Sequence, residues 1–184
     1  HLEDVPLRQP SLFQRETVEE EETQTVVRLA RRPVAGHIDP SADFSIQKEP
    51  IPSEETLQEG DVLLQNLYLS LEPTMRTWMS IESYVSKIEV GAVMRGATVA
   101  RVLASKSDLV IGDLVLTGHG GTGDNGDPTW GGWRHVCILP RHTVELVPSL
   151  PDNIPFSAYL GVLGGTGLAA YFGLFKIGRP VSGD

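Results

Sequence analysis

The sequence predicts a mainly β fold, a small barrel or sandwich, with helical segments near its C-terminal end. Its 184 residues include 19 glycines and 13 prolines, which favour many turns over long helices. Short apolar stretches recur at near-regular spacing with turn residues between them, as in small all-β domains. Residues 157–178 differ, because their apolar residues have helical spacing. The length suits one ordinary domain with extensions.

The predicted strands follow one another through the first 147 residues. Residues 44–47 alternate apolar and polar side chains, the pattern of a half-buried strand. Six of the nine residues at 62–70 are apolar, and this near-continuous apolar character predicts a strand buried on both faces. Turns are predicted at 59–61 and 111–113, and a loop or short helix at 71–79. The remaining predicted strands are 26–30, 98–104, 114–116, 133–139 and 143–147.

The net charge of −9 is concentrated at the N-terminal end. Residues 1–24 hold seven acidic side chains and two arginines, so we expect an acidic, disordered tail, with a short docking helix as the alternative. A chain this acidic is not expected to bind nucleic acid, because the phosphate backbone attracts basic surfaces.

Cysteine content and hydropathy limit the cellular compartments in which the protein is expected. Cys137 is the single cysteine, which excludes an internal disulfide and a zinc site built on several thiolates. The sequence has no apolar run that could span a bilayer and no secretory signal at its start. We therefore expect a cytoplasmic protein that does not enter a membrane.

The apolar stretch 157–178 is expected to organise the end of the chain. It has no charged residue before Lys176, and we read it as a helix, a glycine-rich break at 164–167 and a second helix. Gly178 followed by Pro180 is a helix stop. The stretch is apolar enough to be buried, and we expect it to pack against a further domain rather than inside a core of its own. Residues 179–184 look like a lead-in to that further element.

Three segments carry a resemblance to a known family. They are 66–76, which reads NLYLSLEPTMR, then VMRG at 93–96 with IGDLV at 111–115, and finally 157–180. Over residues 25–184 the chain resembles the zinc-independent medium-chain dehydrogenase/reductases, in the branch of prostaglandin reductases, alkenal double-bond reductases and curcumin reductase.

The resemblance implies a GroES-like β-barrel at 25–150 and a linker with connecting helices at 151–184. These helices would lead to a Rossmann domain that is absent from the chain. It also implies NADPH as cofactor and reduction of the carbon–carbon double bond of a small α,β-unsaturated ketone or aldehyde. Relatives commonly dimerise, so a homodimer is possible. The glycine-rich loop at 118–132 follows a strand but precedes more loop, and we read it as an ordinary loop rather than a phosphate site.

The resemblance also suggests site residues. Tyr84 falls where relatives carry a pocket tyrosine and would donate to the substrate carbonyl; a tyrosine packed at the loop edge is the alternative. Thr74 stands where relatives usually have tyrosine, which implies a wider substrate pocket or a lost donor. Arg76 matches the family arginine, and we favour a structural role for it over catalysis.

Gly165, Thr166 and Ala169 fall in the family segment that lies near the nicotinamide. The resemblance implies that they bind the cofactor there, but all three differ from the residues usual in the family, which weakens that assignment. The alternative is that the glycines within 164–167 serve packing by letting helices approach each other. A metal site is not expected, since the histidines are scattered. His135 and Cys137 are expected on one face of a strand, in the core or at its rim.

Two hypotheses follow for function. The first is an NADPH-dependent enone or alkenal reductase, seen through its catalytic domain. The second is a non-catalytic module that binds a partner or itself through the connecting helices. We expect the isolated chain to be inactive.

Overall fold

The computed structural model describes residues 22–34, 37–82, 86–118, 129–181 and 183. Residues 1–21 of the expected acidic tail therefore lie outside the described residues. The described part is mainly β, which confirms the predicted fold class. Its strands are β1 Thr23–Leu29, β2 Phe44–Pro50, β3 Asp61–Leu69, β4 Thr98–Ser105, β5 Leu114–Thr117, β6 Val136–Pro140 and β7 Val144–Leu146; its α-helices are α1 Pro40–Asp43, α2 Thr74–Trp78 and α3 Gly165–Tyr171.

The strands form two antiparallel sheets. The larger sheet has five strands in the order β6-β3-β4-β5-β7, and β1 pairs with β2 in the smaller one. The pairing of β3 with β4 shifts register twice, between Leu63 and Leu64 and between Asn66 and Tyr68. Such bulges bend a strand and increase its twist, so the large sheet curls around its inner face. Every strand pair among the described residues is antiparallel, which leaves no parallel Rossmann sheet in that part of the chain.

Strand β1 closes the domain. On the edge facing away from β2, the Val27 amide donates to the Trp133 carbonyl at 3.0 Å and the Val27 carbonyl accepts from Met94 at 2.9 Å. The side chain of Gln24 also accepts from the Val136 amide at 2.8 Å. Strand β1 therefore joins the start of the chain to the segment that enters β6.

Two buried clusters make up most of the core. One fills the curl of the large sheet, and the other lies beneath α2 and the end of β1. The first comprises Val62, Leu64, Ala100, Val102, Leu109, Val115, Cys137, Leu139 and Val144. The second comprises Leu29, Met75, Trp78, Met79, Ile88 and Met94.

The predicted turns are confirmed, whereas three strand predictions need correction. Gly60 and Gly112 have φ of 85° and 97°, a region that a residue with a side chain rarely adopts. Strand β2 does not show the half-buried alternation predicted for 44–47, because Ile46 is 76 % exposed. Strand β3 is buried only over its first half, because Tyr68 near its end is 42 % exposed. Strand β6 begins at Val136 rather than at 133, since Arg134 makes only an isolated bridge to Val26.

The C-terminal segment forms three helical pieces. A 3-10 turn, Phe156–Leu160, packs onto Val99 and Leu116 of the sheet and onto Val147, which follows β7. The break lies at 161–164 rather than at the predicted 164–167, so α3 already begins at Gly165 and continues directly into a π-helix, Phe172–Gly178. The predicted stop is confirmed, although Arg179, with φ of 50°, supplies the left-handed residue rather than Gly178.

The segment is not sealed inside a core of its own, which agrees with the expectation of an open apolar face. Beyond the 3-10 turn its large apolar side chains lie open to solvent, and none of the buried clusters includes them. We call these seven residues the C-terminal apolar face; they are Leu163, Leu168, Tyr171, Phe172, Leu174, Phe175 and Ile177, exposed by 48 to 81 %.

No helix in the described part of the chain combines the length and the apolar character needed to cross a membrane.

Candidate substrate and cofactor site

Helix α2 places Thr74 and Arg76 directly after the longest strand. Strand β3 ends at Leu69, and Pro73 starts the helix with φ of −56°, a value that the proline ring already favours. Met75 and Trp78 point into the core beneath the helix, while Thr74 and Arg76 stay half-buried at its side. The packing of Met75 and Trp78 fixes the rotation of α2 about its axis, and this rotation leaves Thr74 partly exposed.

Arg76 makes hydrogen bonds to neighbouring residues of the domain. Its guanidinium donates to the Ser80 hydroxyl, one turn further along, and to the Val34 carbonyl at 3.4 Å. The chain from β1 is thereby tied to α2. These contacts are of the structural kind that the sequence favoured for Arg76.

Tyr84, the expected carbonyl donor, lies outside the described residues, but both ends of its loop are described. The Ile88 amide donates to the Trp78 carbonyl at 2.8 Å, which brings the start and end of residues 79–88 together. Trp78 is buried and lies 5.1 Å from Trp130, measured between ring centroids. The base of the loop is therefore attached to Trp78, whose ring packs against Trp130 in the core.

Gly165, Thr166 and Ala169 lie on the first turns of α3, and all three are exposed. The Thr166 hydroxyl donates to the Gly161 carbonyl at 3.0 Å. A side chain on Gly165 would meet nothing within 4 Å, whereas one on Gly167 would meet the Val162 carbonyl oxygen at 1.8 Å. The packing explanation therefore suits Gly167, and Gly165 faces open space.

A buried polar network, which no sequence pattern predicted, holds the base of the glycine-rich loop. Thr98 and Thr117 share a hydrogen bond of 2.9 Å, and the Thr117 hydroxyl accepts from the Gly131 amide at 2.9 Å. The Asn66 side chain accepts from Thr98 at 2.8 Å and donates to the Arg134 carbonyl at 2.8 Å. A methyl group on Gly131 would lie 2.2 Å from the Thr98 oxygen. The network fixes both ends of the segment 119–128, which itself lies outside the described residues.

Cysteine and histidine chemistry has little support here. Burial raises the pKa of the Cys137 thiol to about 11, against a smaller opposing effect of Arg134. His135 is exposed while Cys137 is fully buried, so the expectation that they share a face is wrong. The reason is that His135 lies before the start of β6, so the side-chain alternation of that strand does not extend to it. Within the described ranges, no three histidine, cysteine, aspartate or glutamate side chains gather as metal ligands.

Comparison with known proteins identifies the family to which the chain belongs. A family described as the N-terminal domain of oxidoreductase matches residues 26–125. NADPH-dependent curcumin reductase of Escherichia coli is 36 % identical over 158 residues, which is 85 % of this chain and 40 % of that protein. Prostaglandin reductase 1 of Oryctolagus cuniculus is 34 % identical over 145 residues, which is 78 % of this chain and 36 % of that protein.

A solved structure agrees. CurA from Vibrio vulnificus, in complex with NADPH, superposes with a TM-score of 0.68 at 33 % identity, covering 87 % of this chain and 42 % of that one. The chain belongs to the oxidoreductase N-terminal domain family, in the medium-chain dehydrogenase/reductase branch of the prostaglandin, alkenal and curcumin reductases. Its barrel is GroES-like, as predicted. It spans about two fifths of the length of the curated relatives cited here.

Proposed function

We propose that this chain is the catalytic barrel of an NADPH-dependent reductase that reduces the carbon–carbon double bond of α,β-unsaturated ketones or aldehydes. The observation that carries the proposal is the agreement between the barrel, continued by exposed helices, and relatives named as NADPH-dependent curcumin reductase and prostaglandin reductase. The buried, free Cys137 suits a reducing, cytoplasmic location.

The residues on α3 fit the nicotinamide end of this cofactor. Gly165 is open, the Thr166 oxygen is exposed and able to accept a further hydrogen bond, and Ala169 offers a small apolar surface. When bound, the cofactor would supply the hydride that adds to the β-carbon. The described residues contain no strand–glycine-turn–helix unit for its pyrophosphate, so that part of the binding would come from other sequence.

This chain's own task is to polarise the carbonyl and exclude water. Negative charge builds up on the carbonyl oxygen as the double bond is reduced, and a neutral hydroxyl held close to it stabilises that charge. We assign this role to Tyr84, whose phenol remains protonated at neutral pH. Thr74, being smaller than tyrosine, would leave the pocket wider, while Arg76 holds the pocket wall together through Ser80 and Val34.

The experiment compares two polypeptides. We expect the 184-residue chain alone neither to change NADPH fluorescence nor to oxidise NADPH with benzylideneacetone. The whole polypeptide that also contains the cofactor-binding part should oxidise NADPH and release the saturated ketone, detected by gas chromatography and mass spectrometry. Absence of the saturated product with enones and enals alike would exclude the proposed reaction.

Within the active polypeptide, Tyr84→Phe tests the donor. Loss of one such donor typically lowers kcat by about 10²-fold. Tyr68→Phe is the matched control, because Tyr68 is an exposed tyrosine on β3 outside the proposed site. An unchanged kcat in Tyr84→Phe would remove the donor assignment and leave the reductase assignment in place.

The C-terminal apolar face favours a second candidate function, a binding or self-associating module without catalysis. NADPH oxidation by the whole polypeptide separates the two candidates, since a pure binding module would show none.

A further inference from the structure

All three tryptophans of the chain belong to the buried cluster beneath α2. Trp78 lies at its centre and is 4 % exposed, while Trp130 and Trp133 are half-buried and pack against it. We call these residues and their neighbours the tryptophan cluster. The neighbours are Leu29, Met75, Met79, Ile88 and Met94 at the centre and Val27, Ile38, Phe44 and Ala92 at the edge. The cluster therefore has no side-chain oxygen of its own.

Two indole N–H groups of this cluster have no acceptor. Within the described part of the chain, Trp78 Nε1 and Trp133 Nε1 are buried polar atoms without a hydrogen-bond partner. Buried polar groups are nearly always paired, and an unpaired one costs free energy. The Phe44 ring cannot accept from Trp133, because the two rings stack 5.8 Å apart at an angle of 18° and the N–H lies in the plane of its own ring. Two donors in one apolar cluster therefore lack an oxygen.

The main chain at the centre of the cluster does not offer that oxygen. The carbonyls of all six central residues already accept a hydrogen bond, either from a backbone amide or from Arg32. The Trp78 carbonyl, for example, accepts from the Ile88 amide at 2.8 Å, and the Met94 carbonyl accepts from the Trp133 amide at 2.9 Å. The methionine sulfur atoms are weak acceptors, and neither indole bonds to one. The described residues thus leave both donors open for a bound molecule.

The chemistry of the cluster selects the kind of molecule. A buried water needs about two to four partners, and its own hydrogens would find no free acceptor here. An anion would need a cation beside it, and every member of the cluster is uncharged. The oxygen of a ketone, aldehyde or ester only accepts hydrogen bonds, so it leaves nothing unpaired. Its apolar body matches walls made of aromatic rings and methionines.

The edge of the cluster provides a way in. Phe44, Trp130 and Trp133 are half-buried, so the cluster meets solvent along these rings. Behind them lie three methionines, whose unbranched side chains repack more readily than other apolar residues. A small ligand therefore enters between side chains that yield, without opening the sheet.

We propose that Trp78 and Trp133 are the hydrogen-bond donors of a binding site for a neutral carbonyl compound, set in the tryptophan cluster. The proposal goes beyond the proposed function, because this site binds its ligand without NADPH and without reduction. Both donors, and the walls around them, lie within the described residues.

The test uses the isotope-labelled 184-residue chain without NADPH. Three tryptophans give three indole signals in a proton–nitrogen correlation spectrum, and Trp→Phe variants assign them. We expect acetophenone at millimolar concentration to move the Trp78 and Trp133 indole protons downfield, as a new hydrogen bond does. The second probe is α-methylstyrene, which has the same shape but carries a CH₂ group in place of the ketone oxygen. It should bind about 10-fold more weakly, since it leaves both donors unpaired.

Two variants assign the preference to the indoles. Trp78→Phe keeps an aromatic ring but removes the N–H, so we expect it to lose most of the preference for acetophenone over α-methylstyrene. Trp130→Phe is the matched control, because the same substitution in the same cluster leaves both unpaired N–H groups in place. Should Trp78→Phe fail to fold, Trp133→Phe gives the same readout from the half-buried edge.

Several results would overturn the proposal. One is equal affinity for the two probes, or no binding of acetophenone at all. Another is an equal loss of preference in Trp130→Phe and Trp78→Phe. A Trp78 indole proton displaced upfield without any probe would show that it points at the Trp130 ring, and a trapped water that acetophenone does not displace would show that water is the acceptor. Because NADPH takes no part, none of these results bears on the reductase assignment, and absence of enone reduction does not bear on this site.

Discussion

Asp43 shows how one buried carboxylate ties the start of the barrel together. Its side chain is 1 % exposed and accepts from Arg31 Nε at 2.7 Å and from the Asp39 amide at 2.8 Å. Its carbonyl accepts from the Ala30 amide at 2.8 Å. The Arg31 hydrogen bond holds the pKa of Asp43 below its usual value, with help from the Asp39 amide. The ionised form is therefore the one that the folded state favours.

The pH dependence follows with a definite sign. A carboxyl whose pKa is lowered by folding stabilises the protein fully above its unfolded pKa of about 3.9, and this contribution is lost as pH falls through the lower folded value. We expect Asp43→Asn to lower the melting temperature at pH 7 and to flatten its decline below pH 4. Asp108→Asn is the control, because Asp108 pairs with Arg141 at 2.6 Å but is 69 % exposed. Equal losses in both variants would contradict the argument.

At this scale the sequence indicates which residues could act but not what surrounds them. Arg76 could be assigned a structural role because its motif was recognisable, and the structure gives it such contacts. Thr98 and Thr117 looked like ordinary strand residues, since pairing between hydroxyls 19 positions apart depends on the register of β4 and β5. Arg95 is part of the VMRG motif, but only the folded chain brings its guanidinium to the Ser86 and Lys87 carbonyls.

At the scale of elements, the strands were predictable because side-chain alternation and glycine turns act locally. The failures lie where tertiary contacts decide. Strand β6 starts late because Trp133 and Arg134 pair with β1 rather than with β3. The last helix takes the π form over Phe172–Gly178, which no residue pattern announced. The apolar content of residues 157–178 predicted a face that the rest of this chain does not cover, and among the described residues that face is exposed.

The C-terminal apolar face gives a prediction for the isolated chain. The Tyr171 ring lies 5.6 Å from that of Phe172 and 5.2 Å from that of Phe175, measured between centroids, yet each of the three side chains is about half exposed. Contiguous apolar surface of this kind drives association. We expect the 184-residue chain to self-associate as its concentration rises, measured by sedimentation velocity.

Ile177→Glu should shift that association to concentrations at least about 10-fold higher, since a charge at the interface core costs more than 1.4 kcal/mol when it lacks a partner. Ile111→Glu is the matched control: Ile111 is 74 % exposed but lies in the turn before β5. A chain that stays monomeric at millimolar concentration, or equal effects of the two variants, would show that this face does not self-associate.

At the scale of the whole molecule, Cys137 reports on the integrity of the sheet. It is fully buried in the largest cluster, and burial raises its pKa to about 11. Since only the thiolate reacts, we expect no alkylation by iodoacetamide at pH 8 until the sheet opens. Intact mass after timed labelling across a urea series should therefore follow unfolding seen by circular dichroism. Rapid labelling without urea would show local access to the core.

The closure of the barrel by β1 bears on how the chain acquires its shape. The Gln24 side chain and the Val136 amide are separated by 112 positions, so the ends of this contact meet only after nearly the whole domain has been made. Long-range pairing of this kind slows folding. On the ribosome, the amino-terminal hairpin must wait without its second neighbour until residues 133–136 emerge, and during that wait its open edge is vulnerable to pairing with another nascent chain.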